Sequence, residues 1–311
     1  MNLEAAAPAP HSLLRPRIVI PFFLVALIWG STWLVIKDQI SDIAPSWSIT
    51  YRFIIATTAM FIFARLRGHS LALGRQGQML AIAVGLAQFC GNFNFVYRAE
   101  IYLTSGIVAV MFGLLMVPNA IFGRLLLGQP ITARFFAGSL VALCGIAMLL
   151  VHEARITPVA GAIGAGILLT IGGILSASIA NVIQAGETGK KLPLASLLAW
   201  SMLYGTMADA ALAWTTAGAP TFDMRWEYGA GVTYLALFGS VVTFPLYYNL
   251  VREIGAGRAA YNGVVVVIVA MVLSTLFEGY VWTPLAALGS VLSLAGMVIA
   301  LRARSPVVKS G

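Results

Sequence analysis

The strongest constraint on this chain is that it repeats itself at an interval of 151 residues. Tyr97-Arg98 followed by Thr104-Ser105-Gly106 is matched one interval later by Tyr248-Asn249 followed by Gly255-Ala256-Gly257, and Gly138 and Gly145 recur as Gly289 and Gly296. Each repeat holds five apolar stretches of membrane-crossing length. An odd number of crossings sets the second copy upside down relative to the first, so the sequence predicts inverted repeats about an axis in the membrane plane.

A helix needs about 20 apolar residues to cross the hydrocarbon of a bilayer. Ten segments meet that demand: Ile18–Ile36, Trp47–Ala64, Met79–Tyr97, Ile101–Phe122, Phe135–Val151, Val159–Ile183, Leu194–Trp214, Tyr228–Val251, Ala259–Phe277 and Leu285–Leu301. With 60% hydrophobic and 10% charged residues, the chain has too little polar surface to cover a water-soluble globule. The expected fold is all-α and integral to the membrane, with ten transmembrane helices in two inverted five-helix repeats around a central cavity. Residues 1–17 read as a disordered cytoplasmic segment, 18–151 and 159–302 as the two repeats, and 303–311 as a cytoplasmic tail.

The net charge of +8 is topological. With a cytoplasmic N-terminus, fourteen Lys and Arg fall in the inner connections, while only Lys37, Arg98, Arg155 and Arg225 fall in the outer ones. That asymmetry obeys the positive-inside rule and places both termini in the cytoplasm. The basic residues are spread among loops and form no nucleic-acid-binding module. Arg15 and Arg17 precede an apolar run that continues to Ile36 with no small-residue cleavage site, so this run is expected to be the first helix and not a cleaved leader.

Polar side chains in hydrocarbon need partners, so they mark where function is expected. The first helix carries Trp29, Ser31, Thr32 and Trp33; the third Gln88, Asn92, Asn94 and Tyr97; the sixth Ser176, Ser178, Asn181 and Gln184. The eighth adds Thr243, Tyr247, Tyr248 and Asn249, whereas the fifth and tenth offer little beyond Ser139, Ser290 and Ser293. Gln88 and Asn92 are one helical turn apart, and Ser178, Asn181 and Gln184 step by three, so each set shares a face. An offset of 147 also maps Trp29 to Ser176, Ser31 to Ser178 and Lys37 to Gln184. These helices are expected to line one cavity; the alternative is that the small polar residues only bond helix to helix.

Two ionisable residues stand within the apolar segments: Arg52, placed to attract a carboxylate, and Asp209, placed to carry a coupling proton. Both lie toward the outer ends of their helices, where partial solvation is expected, and a structural ion pair or snorkelling is the competing role for each. Pro118 and Pro245 each remove a helical hydrogen bond and are expected hinges or bends. Most of the tryptophans, Trp47 among them, read as interfacial anchors.

Enzymatic chemistry does not assemble. His152-Glu153 opens a zinc-protease pattern that Ile156 breaks, Asp209 has no second carboxylate beside it, and a phosphate-binding loop is absent. Cys90 and Cys144 lie inside apolar segments and form neither a disulfide framework nor a metal motif.

Trp29-Gly30-Ser31-Thr32-Trp33, Pro45 before Arg52-Phe53, Thr104-Ser105-Gly106, Pro118 upstream of Gly128-Gln129, Gly138 with Gly145, and Phe277-Glu278 with Gly289 and Gly296 resemble the EamA branch of the drug/metabolite transporter superfamily. The match runs from about Ile18 to Arg302. It implies two inverted five-helix repeats, a central cavity, peripheral fifth and tenth helices, and export of small metabolites, often amino acids, from the bacterial cytoplasm. Gln129 stands where the family often has Glu, and Val267 where a proline matching Pro118 is expected.

The resulting expectation is a secondary transporter of the bacterial inner membrane, working by alternating access on small amphipathic metabolites, with neutral or aromatic amino acids foremost. Gln88, Asn92, Asn181, Gln184 and Asn249 are its expected polar contacts, Arg52 its anion contact, and Trp29, Trp33, Tyr97 and Tyr248 its apolar walls. No cofactor is expected; the partners are substrate and lipid, with the chain a monomer or weak homodimer. A multidrug exporter and a non-transporting membrane scaffold are the two alternatives.

Overall fold

The computed structural model describes residues 15–40, 43–156, 160–254 and 261–303, and contains helices but no strand among them. Ten long helical rods follow in order: α1 (Pro16–Asp38), α2 (Pro45–Leu66), α3 (Gly74–Ala99), α4 (Ser105–Leu127), α5 (Ala133–Ile156), α6 (Ala160–Gln184), α7 (Leu194–Ala217), α8 (226–254), α9 (Tyr261–Phe277) and α10 (Pro284–Ala303). Eight are long and apolar enough to cross a bilayer; α9 is apolar but shorter, and α7, at 24 residues, is diluted by Asp209 and its hydroxyls. The expectations for residues 1–14 and 304–311 and for Gly255-Ala256-Gly257 fall outside the described residues.

One boundary differs from the sequence reading in an instructive way. The apolar run at Ile101 is not helical: Thr104 is extended (φ −67°, ψ 148°) and α4 starts at Ser105. The Ser105 N–H and Oγ both donate to the Glu278 carboxylate, at 3.2 and 2.7 Å. A carboxylate accepting from the first free N–H of a helix fixes where that helix begins, and this one arrives from the far side of the sequence.

The helices pair in a pattern that survives exchange of the two repeats. α2 packs on α7, α4 on α9 and α5 on α10; α1 touches α9 as α6 touches α4, and α3 touches α6 as α8 touches α1. The α5–α10 contact is backbone on backbone. A Cβ at Gly138 falls 2.8 Å from the Gly296 oxygen, and one at Gly145 falls 2.5 Å from the Gly289 oxygen. The four glycines of the sequence repeat thus face each other across the interface, which is the close approach that small residues permit within membranes.

A second symmetric feature lies inside the bundle. α3 and α8 each contain a π-helical stretch, Gly85–Asn92 and Leu237–Val242, at equivalent places in the two repeats. A π turn leaves carbonyls without their ordinary helical donors, and such turns recur at functional sites. Pro245 lies four residues after Val241, so its missing N–H coincides with the π stretch of α8. At the 151-residue offset the equivalent position is Asn94, whose Nδ2 donates back to the Cys90 oxygen at 3.0 Å. Pro118 similarly follows a short 3-10 turn, Gly113–Leu115, that interrupts α4.

Two apolar cores result, one among α4, α5, α9 and α10 and one among α2, α3, α7 and α8. Trp33 and Phe112 pack against both, their rings 5.1 Å apart.

Candidate substrate site

The π turns are held by side chains from α1 and α6. Trp29 Nε1 donates to the Gly239 oxygen at 3.2 Å, and Ser176 Oγ donates to the Ala87 oxygen at 2.7 Å. Above Gly239, the next residue turns its hydroxyl toward α2: Ser240 Oγ donates to the Leu235 oxygen at 3.0 Å and accepts from Arg52 Nη2 at 3.3 Å.

Arg52 is 2% exposed, against the expectation of partial solvation from its place near the helix end. Packing by α8 and by two rings seals it: its guanidinium carbon lies 4.4 Å from the centre of the Phe93 ring and 5.1 Å from that of Phe53. Nε and Nη1 have no hydrogen-bond partner, the Tyr97 hydroxyl lies beside the guanidinium, and among the described residues no carboxylate lies within ion-pair distance. Cation–π contact offsets part of the cost of burying such a charge, but not its missing hydrogen bonds. From Arg52 the rings continue as a row: Phe53 to Phe89 at 5.2 Å, Phe89 to Phe244 at 6.2 Å, Phe244 to Trp29 at 5.7 Å and Trp29 to Tyr247 at 5.1 Å. The arrangement joins an unsatisfied cation to an extended aromatic wall.

Asp209 is also fully buried, but in a different cluster. One carboxylate oxygen accepts from Asn94 Nδ2 at 2.6 Å; the other has no partner. The Asn94 oxygen in turn accepts from Arg98 Nη1 at 2.5 Å and from Ser46 Oγ at 2.9 Å. A single amide therefore stands between acid and base. Asn94 sits on the side of α3 that meets α7 and α2, and the sequence reading gave it no role of its own.

The remaining expected residues divide. Asn92 is buried with Oδ1 unpartnered; Gln88, Asn181 and Gln184 are half-buried on α3 and α6, which pack together. Trp33 lies at the junction of the cores. Tyr97 is fully buried within electrostatic reach of Arg52, and its hydroxyl donates to Gln39 at 3.1 Å. Asn249 is exposed, because the buried stripe of α8 runs through Ser240, Thr243 and Leu250 and passes it by. The Tyr248 side chain lies outside the described residues. Trp47 is not an interfacial anchor: it is buried and stacked on Tyr51.

Phe53, Phe89, Phe93, Phe244 and Ser240 were not singled out from the sequence. Single phenylalanines carry no signal in a chain this apolar; only their convergence from α2, α3 and α8 reveals the row. A crevice of about 290 Å³ between α4, α9 and α10, lined by Val110, Met271 and Leu294, contains none of the expected site residues. Among the described residues no group of three His, Cys, Asp or Glu side chains is placed to hold a metal ion.

A bundle of apolar helices built as two mutually inverted halves, with polar groups and irregular turns held inside, defines a membrane transport protein. The chain belongs to the EamA-like transporter family, whose model matches residues 17–151 and again 164–302. It is similar to Protein PagO of Salmonella typhimurium, 23% identical with 95% of this chain and 96% of the relative covered. The Uncharacterized inner membrane transporter YedA of Escherichia coli is 27% identical over 84% of each. A Salmonella typhimurium protein named "Probable amino-acid metabolite efflux pump" is 23% identical over 89% of this chain and 92% of its own length. A solved crystal structure shares the fold, with a TM-score of 0.68 and 16% identity over 90% of this chain and 95% of that one.

Proposed function

We propose that this transporter exports small amphipathic metabolites bearing a carboxylate, with neutral and aromatic amino acids as the first candidates, and that it does so by alternating access. The observation that carries the reading is Arg52: a buried guanidinium with two free nitrogens, set at the head of an aromatic row. A carboxylate accepts those free N–H groups, and the ring row accommodates an apolar side chain. Amides of Asn92, Gln88, Asn181 and Gln184 supply polar contacts for the rest of the molecule. Asp209 is the proposed carrier of a coupling proton. An unpaired buried cation speaks against lipophilic cations as the main cargo.

The inner membrane of a bacterium, with both termini cytoplasmic, is the proposed setting. It is supported by the positive-inside count and by similarity to YedA, a protein named as an inner membrane transporter. The end of the bundle carrying residues 99–105 then faces outward.

The test is a flux screen in liposomes over the amino acids, with and without a pH gradient. The proposal expects uptake of a neutral or aromatic amino acid that Arg52→Ala combined with Asn92→Ala abolishes. Transport of none of them, or flux indifferent to both substitutions, removes the substrate and site assignments.

A further inference from the structure

A second polar cluster, at the end of the bundle opposite Pro16, takes no part in the substrate site. Glu100, the residue after α3, is completely buried, and neither of its carboxylate oxygens has a hydrogen-bond partner. Its backbone carbonyl and that of Leu103 (3.1 Å) accept from Nζ of Lys37 at the end of α1. One ammonium thereby bridges the turn that links α3 to α4.

The ionisable groups around this turn include Lys37 from α1, Tyr97 from α3, His152 and Glu153 from α5, and Glu278 and Tyr280 between α9 and α10. Each except Tyr280 has a partner. Tyr97 donates to Gln39, Glu153 accepts from Thr104 Oγ1 at 3.2 Å, His152 meets the Val281 oxygen at 2.9 Å, and Glu278 holds Ser105. Glu100 is the carboxylate of this group left without one.

A carboxylate without solvent or donors favours its neutral form. Burial pushes the Glu100 carboxyl well above the usual carboxylate range; the Lys37 ammonium opposes this, and Glu278 adds to it. We propose that Glu100 is a proton-binding site that controls this end of the bundle: neutral, it stays packed beneath the Lys37 bridge, and on releasing its proton to water on that side it opens the 99–104 turn. The ionised carboxylate needs donors. It finds them in water and in the Lys37 ammonium, and both take it out of the closed packing and loosen the bridge.

The 147-residue offset puts Gln184 at the position of Lys37, and the 151-residue offset puts Val251 at that of Glu100, so the repeat equivalents of these two residues carry no charge. The inference builds on the alternating-access reading, but it needs no particular substrate and assigns no role to Arg52.

The sign follows from linkage. The closed form binds the proton more tightly than the open form, so closure is favoured at low pH and is lost as pH rises toward the raised value of the Glu100 carboxyl. Hydrogen exchange of the amides in residues 99–104, measured on the full chain in lipid nanodiscs between about pH 6 and about pH 9 and corrected for intrinsic rates, reads the opening directly. In the unmodified protein, exchange is expected to rise by about tenfold or more across that interval, a unit of pKa being a factor of ten. Glu100→Gln stays protected throughout, and Lys37→Gln exchanges fast at every pH. Exchange independent of pH, or a Glu100→Gln protein that follows the unmodified one, overturns the proposal. Should Glu100→Gln not fold, the infrared carbonyl band of a protonated carboxylic acid, followed in an Asp209→Asn background, must weaken over the same interval; a band of constant intensity overturns it equally. Neither readout involves substrate, so a wrong substrate class leaves this result standing, and the reverse.

Discussion

Trp29 donates its indole N–H to the Gly239 oxygen at 3.2 Å, and the relationship has a twin: Ser176, the repeat equivalent of Trp29, donates to the Ala87 oxygen at 2.7 Å. Both acceptors sit in π-helical stretches, whose carbonyls lack their usual helical donors. An indole and a hydroxyl share no chemistry beyond donating one hydrogen bond. The repeat has kept that mechanical task in both halves while letting the side chains diverge, and the divergence shapes the site. Trp29 also contributes a ring to the aromatic row, which its counterpart Ser176 cannot do.

Removing either donor should therefore destabilise the bundle by a similar amount. Trp29→Phe keeps the ring and loses the N–H; Ser176→Ala loses the hydroxyl. Each removes one hydrogen bond to a carbonyl, at an expected cost of about 0.5–1.5 kcal/mol, the Gly239 oxygen keeping the Thr243 hydroxyl at 2.9 Å. Thermal unfolding in detergent is the measurement, and an unchanged midpoint for both variants would contradict an anchoring role. Trp29→Phe should also preserve substrate affinity better than Trp29→Ala, since only the latter breaks the aromatic row.

How far the sequence foretold this arrangement depends on the distance over which each feature is determined. Helix existence is local: apolar length alone located α1 to α10, whereas the packing of α5 on α10 through the repeated glycines emerges only from the fold. The start of α4 is not local, because its capping carboxylate, Glu278, lies 173 residues away. Arg52 was visible as a lone charge in an apolar run, yet its burial was not, since the seal comes from Phe93 and the π turn of α8. Glu100 escaped notice for the same reason. In the sequence it is a loop residue beside Arg98, where water is the default partner, and only the approach of Lys37 from α1 shows that the turn is closed. The π turns left one trace: Asn94 and Pro245, at equivalent positions, both act on the helical bond at their own turn, one by competing for its acceptor and one by lacking its donor.

The α5–α10 crossing predicts a steep steric cost. A Cβ at Gly296 lies 2.2 Å from the Ala142 nitrogen, and the obstructing atoms are backbone and cannot swing aside. Gly296→Ala should destabilise by roughly 1–3 kcal/mol, and Gly296→Leu should prevent accumulation of folded protein. Gly164, with open space around it, is the control: Gly164→Ala should leave the thermal midpoint within experimental error. Equal behaviour of the two alanine variants would mean that the helices separate without penalty.

Arg52→Lys should fail to restore transport. Lysine keeps the charge but loses the planar face that lies over Phe93 and the fork that reaches Ser240 while leaving Nε and Nη1 free. Flux is expected to fall about tenfold or more, in line with the loss of one charge-assisted hydrogen bond of roughly 1.5–3 kcal/mol. A lysine variant with normal flux would show that charge alone suffices and that bidentate anion recognition is not the role of this residue.

Asp209→Asn separates coupling from structure. The substitution preserves shape and can still accept from Asn94, whose Nδ2 lies 2.6 Å from the carboxylate, so folding should be nearly unaffected. It removes the one acid in this cluster, and with it any proton that Asp209 exchanges during the cycle. If Asp209 carries the coupling proton, the variant loses accumulation driven by a pH gradient but keeps exchange of labelled for unlabelled substrate, because exchange needs no net proton movement. If Asp209 only holds Asn94 in place, Asp209→Asn keeps both activities, whereas Asn94→Ala loses both, since it strips Arg98 and Ser46 of their shared acceptor. The two variants measured together, as driven flux and as exchange in the same liposomes, decide between a proton carrier and a positioning residue.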